Sequence, residues 1–153
     1  MKTLIVSVLF LVSHCISFGG RVPAGFMELS ELENAKAKAV KEGKLVAIVV
    51  KGSEDSCPRC AAALKNGTRA IKSDAVLVFA RVPQVQHGKG LPDSVTKETE
   101  DSIDGAWVTF YVFDAALESL VAESSRKELE SNRAAISAFR VKVDAARESL
   151  TGK

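Results

Sequence analysis

The chain is poor in the residue types that mark specialised classes of protein. Histidine is almost missing: two occur in 153 residues, beside three cysteines, four prolines, one tryptophan and one tyrosine. The 21 basic residues are spread along the chain, with no basic block and no interleaved aromatics, so nucleic-acid binding is set aside. No apolar run reaches the roughly 20 residues of a membrane span. There is no internal repeat and no low-complexity tract. What remains is 46% hydrophobic and 26% charged, the balance of one soluble globular domain long enough to bury a core without cross-links.

The first stretch departs from this average. Met1-Lys2 gives a positive start, residues 3–12 are almost wholly apolar, and residues 13–20 are small and weakly polar. This layout predicts a secretory signal peptide over 1–17, a linker over 18–27 and a domain over 28–150. The alternatives are a signal kept as a membrane anchor and a lipid attached at Cys15. Cleavage after Ser17 removes Lys2 from the 21 basic residues and leaves the 19 acidic ones, a nearly neutral mature chain. It also removes Cys15, so that Cys57 and Cys60 are the cysteines of the mature protein.

Along the domain, Leu29, Leu32, Ala35, Ala39 and Val40 recur at helical spacing. Ser30 and Glu33 fit a capping box at the start, and Gly43 fits a stop. Residues 45–50 form a continuous apolar, β-branched run, the pattern of a strand covered on both faces. A polar turn follows, then a helix opened by Cys57-Pro58 and stopped or broken at Asn66-Gly67. Further strands are expected over 75–82, 107–113 and 117–122, the last antiparallel and at an edge. Residues 83–90 read as a loop, 93–101 as polar helical turns and 125–150 as one long closing helix. Its apolar stripe includes Leu129, Ala135, Ile136, Phe139 and Val143. This alternation predicts an α/β layered domain with buried parallel strands and a final hairpin.

The chemistry concentrates at Cys57-Pro58-Arg59-Cys60. A disulfide here closes a very short loop and constrains the unfolded chain little, which favours chemistry over stapling. Proline suits the first helical position, which leaves Cys57 at the helix cap. There its sulfur meets unpaired backbone N–H groups and the positive end of the helix dipole. With Arg59 nearby and Glu54 and Asp55 opposing, the Cys57 thiol is expected below its reference pKa of about 8.5. Cys60, one turn on, is expected to be less exposed.

Other candidates read more plainly. His87 with the two cysteines could hold soft Cu(I), but it lies in a Gly-rich loop and no metal site is assigned. Asn66-Gly67-Thr68 matches a glycosylation sequon and is read as a helix-stopping turn. Trp107 is read as core or as a neighbour of the cysteine pair.

Two segments carry a resemblance to the thioredoxin superfamily over residues 28–150. One is Lys44-Leu45-Val46-Ala47-Ile48-Val49-Val50-Lys51-Gly52-Ser53-Glu54-Asp55-Ser56-Cys57-Pro58-Arg59-Cys60. The other is Trp107-Val108-Thr109-Phe110-Tyr111-Val112-Phe113-Asp114. The resemblance implies a three-layer α/β/α sandwich around a mixed sheet of about four strands. It implies an exported, secreted or periplasmic thiol-disulfide oxidoreductase, with Cys57 as nucleophile, Cys60 as resolving thiol, and Pro58 and Arg59 in support. No cofactor is implied. Partners would be cysteine-containing exported proteins or a membrane redox donor. The alternative is a binding module with a static disulfide. The chain departs from the family in three places. Ser56 replaces an aromatic residue, Val108 stands at the cis-proline position, and the buried acid of the central strand would fall at Val49 or Lys51.

Overall fold

The computed structural model describes residues 21–52, 57–86, 91, 93, 96 and 108–152. The expected signal peptide with Cys15, the turn residues Glu54, Asp55 and Ser56, His87, Trp107 and most of 93–101 lie outside them. A five-stranded mixed sheet organises the rest. Its strands are β1 (Met27–Glu28), β2 (Leu45–Lys51), β3 (Ala75–Arg81), β4 (Val108–Phe113) and β5 (Leu120–Ser125). The spatial order is β1-β3-β2-β4-β5. β1, β3 and β2 run parallel, while β4 and then β5 are antiparallel to their neighbours. The helices are α1 (Leu32–Glu42), α2 (Pro58–Ile71), α3 (Val82–Gln86), α4 (Arg126–Leu129) and α5 (Arg133–Thr151). Among the described residues no helix is long and apolar enough to cross a membrane.

The three continuous apolar runs become β2, β3 and β4 because helices cover both faces of the sheet. Every residue of β2 is buried. Leu45, Ala47 and Val49 join Phe110 and Val112 on one face, under Ala63, Ile71, Leu129, Phe139 and Val143 of α2, α4 and α5. Val46, Ile48 and Val50 join Tyr111 and Phe113 on the other, under Leu32, Ala35 and Ala39 of α1. The pleat sends alternate residues to opposite sides, so one strand feeds two cores.

Several local expectations are corrected. The sheet has a fifth strand, β1, whose two residues are too short to show a period. Phe26 before it packs edge-on against Phe79, with ring centroids 6.1 Å apart. The α1 helix is not capped by Ser30 and Glu33. A 3-10 turn (Leu29–Glu31) precedes it, the Glu28 N–H donates to Glu31 Oε2 at 3.0 Å, and Glu33 pairs with Lys36 instead. Val40 faces solvent at 69% exposure rather than joining the stripe. Gly43 does end α1, in the left-handed region at φ 61°. β5 begins three residues later than expected, because Leu117 (φ 63°, buried) belongs to the hairpin turn. That turn is tied by the Leu117 N–H to Asp114 O and the Glu118 N–H to Asp114 Oδ1.

The closing helix is two helices. Asn132 caps α5 by accepting from the Ala135 N–H at 3.1 Å, and this side-chain bond competes with continuing the helix from α4. Conversely, α2 does not stop at Asn66-Gly67 but runs on to Ile71. Gly67 faces the sheet. A Cβ there would lie 2.5 Å from the Phe110 ring and 3.0 Å from Leu129 Cδ1, so the glycine allows α2 to approach β4 this closely. Asn66 points to α4, its Nδ2 donating to Leu129 O at 2.8 Å and Glu130 O at 3.4 Å. The sequon is therefore a helix–helix joint, and its amide nitrogen is engaged.

Candidate functional site

The site grows from the end of β2. The strand delivers Lys51 and Gly52, and Cys57 has extended backbone (φ −76°, ψ 108°). Pro58 then starts α2, its ring compatible with the first turn and its missing N–H no loss there. Cys57 is consequently the N-cap. Its Sγ accepts a hydrogen bond from the Cys60 N–H at 3.3 Å, a sulfur in the position usually held by a Ser or Asp oxygen. Pro58 and Arg59 are exposed, Cys57 is half-buried, and Cys60 is 1% exposed in the core cluster beneath α2. Both cysteines are free thiols in this structure.

This geometry separates two chemically identical groups. A hydrogen bond from the Cys60 thiol, followed by the Cys60 backbone N–H, holds the Cys57 thiol below its ordinary value. Desolvation opposes these two bonds, and the Arg59 N–H and the Arg126 charge add smaller contributions that lower the thiol further. Burial, and then donation to the Cys57 sulfur, push Cys60 up to about 11, while Arg126 and Lys51 act the other way. At neutral pH the pair thus presents one thiolate-prone sulfur at the surface and one protonated thiol behind it. The thiolate is the form in which a cysteine attacks a disulfide, so Cys57 is the better placed of the two for that attack.

Among the described residues, two further side chains, Arg126 and Lys51, bring positive charge to the pair. Arg126 opens α4, which begins where β5 ends. Glu128 fixes that start: its Oε2 accepts from the Ser125 N–H at 2.8 Å and from the Ser124 and Ser125 hydroxyls at 3.1 Å. The Ser125 N–H above all, with the two hydroxyls, holds the Glu128 carboxyl below the usual carboxylate range. Glu130, one turn on, pairs with Arg126 at 3.0 Å. Lys51, at the other side, is only 8% exposed. It follows Val49 on the α2 face by pleat parity and sits opposite Val108 in the β2–β4 register.

The expected site residues thus converge. Cys57, Pro58, Arg59 and Cys60 share one helical turn, and Val108 lies in the same buried cluster as Cys60. Arg59 differs from expectation, because it acts on Cys57 through its backbone N–H and the cation acting on that thiol is Arg126. Of the two positions where an acid was sought, Val49 is plain core and Lys51 brings the opposite charge. Arg126 was missed. Ser125 and Glu128 signal a helix start in the sequence, but nothing local says that this start abuts a turn more than sixty residues earlier. Among the described residues no cluster of three or more His, Cys, Asp or Glu side chains could hold a metal. No family model, curated protein or solved structure matches this chain.

Proposed function

We propose that the protein is an exported thiol-disulfide oxidoreductase of thioredoxin-like design, with Cys57 as nucleophile and Cys60 as resolving thiol. The observation that carries this reading is the asymmetry of the pair: a half-buried, capped, thiolate-prone Cys57 against a buried Cys60 whose thiol is pushed up to about 11. A purely structural disulfide has no use for that division. The sheet order β1-β3-β2-β4-β5 supports the thioredoxin-like part, with the cysteines at the junction of a central parallel strand and a helix. Export rests on the signal-like start of the sequence, and it is consistent with a dithiol that meets oxidising conditions.

In the reducing direction, the Cys57 thiolate attacks a partner disulfide and one partner sulfur leaves. Cys60 then loses its proton and attacks Cys57 in the mixed disulfide, which releases the second partner sulfur and leaves Cys57–Cys60 oxidised. The oxidising direction is the reverse. Substrates are cysteine-containing exported proteins. A membrane electron donor would reset the pair. The test is insulin reduction, or oxidation of a dithiol peptide, by wild type, Cys57→Ser and Cys60→Ser. Cys57→Ser should be inactive, and Cys60→Ser should accumulate a mixed disulfide at Cys57. Equal rates for wild type and Cys57→Ser would rule the reading out.

A further inference from the structure

The step at which the Cys57–Cys60 bond opens or closes places a negative charge on Cys60. When a substrate thiolate attacks Cys57, the Cys57–Cys60 bond breaks and its electron pair leaves on Cys60. When the mixed disulfide is resolved, Cys60 must first become a thiolate and then attack. Cys60 is the buried member of the pair, so this transient charge forms where water cannot solvate it. A buried charge of that kind needs a partner of opposite sign.

A buried cation lies on the sheet face that α2 covers. Lys51 ends β2, shares pleat parity with Leu45, Ala47 and Val49, and faces Val108, all four of which lie in one core cluster with Cys60. It is more than nine-tenths buried, so its charge acts through the protein interior, where water screens it little. Its charge acts on Cys60, while the Arg126 charge acts on both thiols. We infer that Lys51 is a positioning residue for Cys60: its buried ammonium stabilises the thiolate that Cys60 becomes when the Cys57–Cys60 bond opens or closes.

The inference rests on the dithiol reading above and makes a separate prediction. Among the described residues, the charged groups acting on Cys60 are Arg126 from α4 and Lys51 from β2, beside Cys57 on its own helix. Removing Lys51 leaves Arg126, whose charge also acts on Cys57. Oxidised glutathione is added to the fully reduced protein, and two rates are followed: formation of the Cys57–glutathione mixed disulfide, and its closure with release of glutathione. Iodoacetamide alkylation of Cys57 reports the nucleophile by itself. In Lys51→Met, closure at neutral pH should slow about tenfold or more, with the mixed disulfide accumulating and its pH profile displaced to higher pH. Alkylation of Cys57 should be unchanged. Closure at the wild-type rate would overturn the inference, and so would equal slowing of closure and alkylation, which marks a general structural role. Should Lys51→Met fail to fold, Lys51→Gln is read by the same two rates. If the wild-type pair forms no mixed disulfide and never closes, it is the dithiol reading itself that fails.

Discussion

The Cys60 backbone N–H donates to the Cys57 sulfur across 3.3 Å, so the buried cysteine of the pair favours the charged form of the more exposed one. The bond arises because Pro58 takes the first helical position and leaves Cys57 at the cap. With the burial of Cys60, it sets the two thiols apart within four residues: charge is favoured on one sulfur and opposed on the other.

Arg126 should be visible in that division. Its charge lowers the Cys57 thiol, so Arg126→Gln should raise the pH midpoint of Cys57 alkylation. With less thiolate at neutral pH the reaction slows there. The two proteins converge at pH values above both midpoints, where Cys57 is ionised in each. Arg126→Lys keeps the charge and should lie closer to wild type. A midpoint that does not move in Arg126→Gln would show that the guanidinium has no hold on the thiol.

Gly67 makes a prediction about packing. A methyl group there would meet the Phe110 ring, which is fully buried and packed edge-on against Phe139 at 6.1 Å. The ring can yield only by displacing its buried neighbours. Overpacking of this kind costs about 1–3 kcal/mol, against a gain of roughly 1 kcal/mol from replacing glycine with alanine inside a helix. Gly67→Ala should therefore destabilise the fold in urea titration. A stabilised Gly67→Ala would mean that α2 does not lie this close to β4.

Much of the fold could be read from residue pattern, and the misses share a physical cause. The runs that became β2, β3 and β4, the stop at Gly43 and the cap at Cys57-Pro58 are local signals that survive folding, whereas the local Ser30 and Glu33 signal gives way to a 3-10 turn. Asn66-Gly67 was misread because glycine has a poor helix propensity. Here that preference is overridden by a tertiary contact with Phe110, which no window of the sequence reveals. The break at Asn132 was lost within a longer apolar period. At the candidate site the two cysteines and Pro58 were legible. Lys51 was seen only as a missing acid, and Arg126 was not seen at all, because proximity across the sheet is not written in spacing.

The far end of the molecule offers a pH-dependent test. Arg147 Nε lies 2.8 Å from Asp74 Oδ1, an ion pair that ties α5 to the turn before β3. Asp144, one turn earlier on α5, has its carboxyl raised, first by burial and then by the Asp74 charge, against the pull of Arg140 and Arg147. A carboxyl raised by folding disfavours its own charged form. Its cost is therefore full above the folded pKa, and it disappears below the unfolded value of about 3.9. Asp144→Asn should stabilise the protein slightly at neutral pH, by no more than ~0.5 kcal/mol since the group is partly exposed and solvent-screened. The gain should vanish on acidification. A loss of stability at neutral pH would show that the Arg140 pairing outweighs the repulsion.

The most direct test of the whole account is the equilibrium of the Cys57–Cys60 pair with a glutathione buffer. A working dithiol stabilised in its reduced form by the cap and Arg126 should exchange readily and titrate within the range of redox-active pairs, above about −300 mV. A potential well below about −300 mV would identify a permanent structural bond and contradict the account.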